Sequence, residues 1–120
     1  MNAIIFLTFL CFLVILVSGY RLRAYGKPYG TLLLTVHKLI PLGMLAYLYF
    51  VLKQMSPLSP LVLVLAILGA VFFVLLIATG GVISAKKEAP MAIKFVHKLM
   101  PYLAIAITGA VLILQIVMNN

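Results

Sequence analysis

Residues 60–85 read PLVLVLAILGAVFFVLLIATGGVISA, an apolar run with no charged residue. A bilayer core ~30 Å thick needs about 20 residues of helix to cross it, and this run supplies them. Three more apolar runs, 2–20, 31–52 and 90–118, flank it along the chain. A β-barrel would need short segments of alternating polarity, and open strand edges do not survive in lipid. The expectation is therefore an all-α membrane protein, an antiparallel up-down four-helix transmembrane bundle of one domain spanning 1–120.

Composition agrees. The 120 residues are 67% hydrophobic and 8% charged, against about half and about a quarter in an ordinary soluble domain. The first run does not read as a secretory signal, because no basic segment precedes it and arginines stand where a small-residue cleavage site would lie. The single cysteine, Cys11, cannot form an intramolecular disulfide and is read as a packing residue.

A net charge of +8 could suggest nucleic acid, but the positions argue for topology instead. Arg21, Arg23 and Lys27 are expected between helices 1 and 2, and Lys86 and Lys87 between helices 3 and 4. Lys38, Lys94 and Lys98 fall in the opening turns of helices 2 and 4, at that same end. Lys53 alone sits at the other. Basic residues stay cytoplasmic, so the expectation is a multi-pass protein of a prokaryotic cytoplasmic membrane with both of those loops inside and both termini outside.

The chain also repeats itself. Shifted by 60 residues, Val36-His37-Lys38-Leu39-Ile40-Pro41 falls on Val96-His97-Lys98-Leu99-Met100-Pro101, and these are the only two histidines present. Ser18-Gly19 and Thr79-Gly80 match at a shift of 61. Two tandem helical hairpins, 1–60 and 61–120, are implied. A hairpin returns to its starting side, so both copies would be oriented alike.

Duplication places the two histidines at equal depth, ~10 Å past the start of helices 2 and 4 at 1.5 Å per residue. In an up-down bundle those helices are diagonal, roughly 13 Å apart when neighbours are 8–10 Å apart. That gap suits a flat macrocycle better than a small ion. Bis-histidine ligation of one haem b by His37 and His97 is therefore expected. Lys38, Lys98, Arg21, Arg23 and Lys94 would gather at the same end as partners for its propionates, where the two helix N-termini also favour anions. Pro41 and Pro101, each four residues beyond a histidine, would kink the helices beside the ligands. Ser18, Gly19 and Ala78–Gly81 would leave room for the ring.

In plan the chain resembles the small transmembrane b-type cytochromes that serve as membrane anchors and quinone-linked electron carriers. The motif that carries the likeness is His-Lys-x-x-Pro, twice. The resemblance implies axial roles for His37 and His97 and a carrier or redox subunit in place of a stand-alone enzyme. Its partners would be a quinone or soluble redox protein at the cytoplasmic face, and other membrane subunits or a second copy. Cationic surroundings would raise the haem potential.

Other readings fit less well. A small multidrug exporter has a similar length, but its coupling carboxylate is missing: the one acidic residue, Glu88, lies in a loop. A copper-type site or metal-ion channel using His37, His97, Met44, Met100 and Cys11 would suit soft ligands. Yet at a shift of 60, Met44 falls on Ala104 and Cys11 on Val71, so those ligands do not repeat. A structural subunit, with histidines serving only as hydrogen-bonding groups between helices, is the remaining alternative.

Overall fold

A computed structural model describes residues 2–120, and their fold is all-α. Four helices follow one another: α1 Asn2–Tyr25, α2 Thr31–Gln54, α3 Pro60–Ala85 and α4 Met91–Asn119. Each is long and apolar enough to cross a membrane. Even the shortest, 24 residues, reaches about 36 Å at 1.5 Å per residue, beyond the ~30 Å that lipid tails require. The chain is a multi-pass integral membrane protein.

Local chemistry sets the helix ends. Before α3, Ser59 is extended and its hydroxyl accepts from the Val62 amide at 3.2 Å, while Pro60 takes the first helical position. This is a serine N-cap followed by a proline whose missing N–H would have had no partner there. At the other end of the first hairpin, α1 runs on to Tyr25, past the end of its apolar run at residue 20. Arginine is a good helix former, and charge alone does not stop a helix. Arg21 and Arg23 therefore lie in the last turns of α1 and not in the connecting loop as expected. The helix stops at Gly26, whose φ of +67° is the left-handed conformation that glycine adopts without a Cβ penalty. Its amide donates to the Leu22 carbonyl at 3.0 Å, the hydrogen bond of a left-handed helix C-cap.

Two compact units divide the chain, one ending at Leu48 and the other beginning at Tyr49. The first unit holds α1 and most of α2. In the second, α3 and α4 run antiparallel. A Cβ at Gly69 would lie 3.2 Å from Ile107, and one at Gly80 would lie 3.0 Å from His97, so rising numbers on α3 meet falling numbers on α4. The last turn of α2 belongs to this second unit. Buried Gln115 of α4 donates its Nε2 to the Met55 carbonyl at 2.7 Å and to that of Pro57 at 3.4 Å. Asn119 adds a donor to Met55 at 3.5 Å. Carbonyls that a helix end leaves without intrahelical partners are thus satisfied by side chains four residues apart on one face of α4.

Several buried positions fall at the two sequence offsets, 61 and 60. Phe12 and Phe73, with Ser18 and Thr79, are buried at a shift of 61 in α1 and α3. Met44, Leu48 and Val51 match Ala104, Thr108 and Val111 at a shift of 60 in α2 and α4. The offset changes because Ser18 is seven residues from the end of α1 and Thr79 six from the end of α3. One extra residue in the last turn of α1 absorbs the difference.

Candidate functional site: two hydroxyl–imidazole pairs

His37 and His97 occupy the same place in their helices, six residues after Thr31 and Met91 respectively. Both are half-buried. Four residues further on, inside each helix, come Pro41 and Pro101. Neither can supply the amide that would bond the histidine's own carbonyl.

Each imidazole meets the preceding helix of its own hairpin. His37 Nδ1 is 2.8 Å from Ser18 Oγ, and His97 Nδ1 is 2.9 Å from Thr79 Oγ1. The next residue along the helix is a glycine in both cases. A Cβ at Gly19 would come within 2.9 Å of His37 Cε1, and one at Gly80 within 3.0 Å of His97 Cε1. The space that a side chain would fill at Gly19 and Gly80 is taken by the imidazole edge.

Proton counting assigns the tautomer. A hydroxyl has one hydrogen to give. Ser18 donates its hydrogen to the Ile15 carbonyl at 3.1 Å, and Thr79 donates its own to the Leu75 carbonyl at 2.7 Å, with Leu76 at 3.2 Å. Each hydroxyl oxygen can then only accept from the ring. With the hydroxyl hydrogen on the carbonyl, the ring proton sits on Nδ1 and the basic lone pair on Nε2; the reverse arrangement, hydroxyl donating to Nδ1, would take that hydrogen from the carbonyl.

This arrangement can present a fixed, neutral imidazole with a defined donor nitrogen. Metal-ligating histidines characteristically donate their other ring N–H to a neighbouring acceptor, which fixes tautomer and ring orientation. The signal was present in the sequence as the recurring Ser18-Gly19 and Thr79-Gly80 pairs. The hydroxyls repeat at a shift of 61 and the histidines at 60, so the two sets do not align at a single offset.

The other expected site residues lie around these pairs. Lys38 and Lys98 follow the histidines directly and are exposed; Lys94, in the first turn of α4, is exposed as well. Arg21 and Arg23 are exposed on the last turns of α1, and the Arg23 guanidinium lies 6.0 Å from the centre of the Tyr20 ring. Met44 is buried in the core and Cys11 is half-buried. Among the described residues, no three of the His, Cys, Asp and Glu side chains converge as a metal site. No family model, curated protein or solved structure matches this chain.

Proposed function

We propose that this is a membrane b-type cytochrome in which His37 and His97 are the axial ligands of one haem b per chain. The observation that carries the reading is the duplicated contact between Nδ1 and a hydroxyl; with the ring proton on Nδ1, Nε2 of both imidazoles is the donor nitrogen. Two neutral imidazoles are the donor set of low-spin haem iron, so the residues fit the cofactor. When bound, the haem supplies a one-electron couple, and the chain supplies ligands, orientation and electrostatics. Lys38, Lys98, Arg21, Arg23 and Lys94 are then the cations nearest the histidine end of the helices, suited to the propionates. The basic loops face the cytoplasm and the termini face outward. A quinone or a soluble redox protein exchanges electrons at the basic end.

The purified protein is expected to be red, with sharp reduced-state bands of six-coordinate low-spin haem. His37→Ala and His97→Ala are each expected to abolish that spectrum. A colourless protein that also fails to take up added haem overturns the assignment, and so does a six-coordinate spectrum that survives both substitutions.

A second reading draws on the close fit of each imidazole against Gly19 or Gly80. In it, the pairs are interhelical hydrogen bonds that hold each hairpin together, worth on average about 0.6 kcal/mol in a membrane protein. It predicts a colourless, haem-indifferent chain that loses stability with the same histidine substitutions.

A further inference from the structure

Ser18 and Thr79 do more than fill space beside the histidines. Resting on the haem reading, we propose that they are positioning residues that choose the ring nitrogen offered to the iron. We infer further that they set the electron density of the two ligands unequally, with His97 the more electron-rich.

The inequality comes from the far side of each hydroxyl. A hydroxyl oxygen becomes a better acceptor when its own proton is held more tightly, because chained hydrogen bonds polarise one another. Thr79 gives its proton to Leu75 at 2.7 Å, with Leu76 at 3.2 Å as a second acceptor. Ser18 gives its proton to Ile15 at 3.1 Å. The two ring–hydroxyl contacts are nearly equal, 2.8 and 2.9 Å, so the carbonyl end distinguishes these two hydroxyl bonds. A stronger acceptor draws the Nδ1 proton outward and leaves more electron density at Nε2, which favours ferric over ferrous iron. A β-branched threonine also holds its hydroxyl in fewer rotamers than serine does.

The first measurement needs no haem. In protein labelled with ¹⁵N-histidine and kept in detergent micelles without haem, both rings are expected as the Nδ1–H tautomer. Ser18→Ala should move His37, and Thr79→Val should move His97, toward a mixture containing Nε2–H. Ser18→Thr and Thr79→Ser should keep the native tautomer, which separates loss of the hydroxyl from loss of packing. The second measurement is the potential of the haem-loaded protein. Both hydroxyl deletions should raise it, with Thr79→Val having the larger effect. We expect a threefold to tenfold change in the ferric-to-ferrous affinity ratio, where tenfold corresponds to 59 mV for one electron.

The proposal is overturned if the unsubstituted chain shows either ring as Nε2–H, or if the hydroxyl deletions leave both tautomers unchanged. Equal or reversed shifts in potential overturn the inequality between the two ligands. A chain with the expected tautomers that never takes up haem would remove the cofactor reading while supporting the role of Ser18 and Thr79 in choosing the ring nitrogen.

Discussion

At the scale of single residues, the two glycines next to the hydroxyls carry a sharp expectation. Gly19→Ala or Gly80→Ala would place a methyl about where an imidazole carbon now lies, 2.9 or 3.0 Å from it. The backbone cannot retreat easily inside a helix, so the ring must swing and its bond to Ser18 or Thr79 is lost. That loss is about 0.6 kcal/mol on average for a membrane-protein hydrogen bond. Alanine in turn returns about 1 kcal/mol of helix propensity relative to glycine. The two effects nearly cancel, so thermal stability should change by less than about 1 kcal/mol while the histidine tautomer signal and haem uptake change clearly. Thermal melts in detergent, run beside haem titrations, check both halves. Unaltered haem uptake in both variants would show that the ring position does not matter. The sequence made the histidines conspicuous because they are rare in apolar helices and occur twice. It left their partners inconspicuous, because serine, threonine and glycine are common wherever membrane helices pack closely.

At the scale of elements, the helices were legible and their ends were less so. The apolar run 60–85 coincides with α3, because Ser59-Pro60 is a start signal that the sequence states directly. For α1, apolarity stops at residue 20 while the backbone stays helical to Tyr25, so hydropathy marks the lipid boundary and Gly26 marks the helix end. The hold on the end of α2 was not legible at all. Gln115 and Met55 are 60 residues apart, and a single glutamine in an apolar helix gives no hint of which carbonyl it will meet. Its burial nevertheless makes it consequential. Gln115→Leu keeps the side-chain bulk but strips the Met55 carbonyl of its 2.7 Å donor, leaving Asn119 at 3.5 Å as a poor substitute. A fully buried carbonyl without its partner costs about 1–3 kcal/mol, and the half-buried Met55 carbonyl should lose less than that. The expected result is a lower melting temperature in detergent with the haem spectrum and histidine tautomers unchanged, since the histidines lie at the other end of their helices. An unchanged melting temperature would mean that this bond contributes nothing to stability.

At the scale of the whole molecule, the distribution of charge is what the sequence expresses most plainly, and the proposed membrane orientation rests on it. Eight of the nine lysines and arginines belong to the loops 26–30 and 86–90 or to the helical turns beside them, leaving Lys53 at the other end of α2. Each basic residue near an anionic cytoplasmic leaflet contributes about 1 kcal/mol, so eight against one leaves a surplus of seven and roughly 7 kcal/mol in favour of one orientation. That exceeds any single packing term discussed above. Exposed positions make the orientation measurable. In a Cys11→Ser background, cysteines introduced one at a time at Ser56 and Asn120 should react with a membrane-impermeant maleimide in intact cells. Those introduced at Lys27 and Lys87 should react only after permeabilisation. The opposite pattern would invert the proposed topology. Labelling of Ser56→Cys and Lys27→Cys from the same side would contradict a membrane-spanning α2. The expected pattern would put both hydroxyl–imidazole pairs toward the cytoplasmic side, because each histidine lies six residues into a helix that begins beside a basic loop.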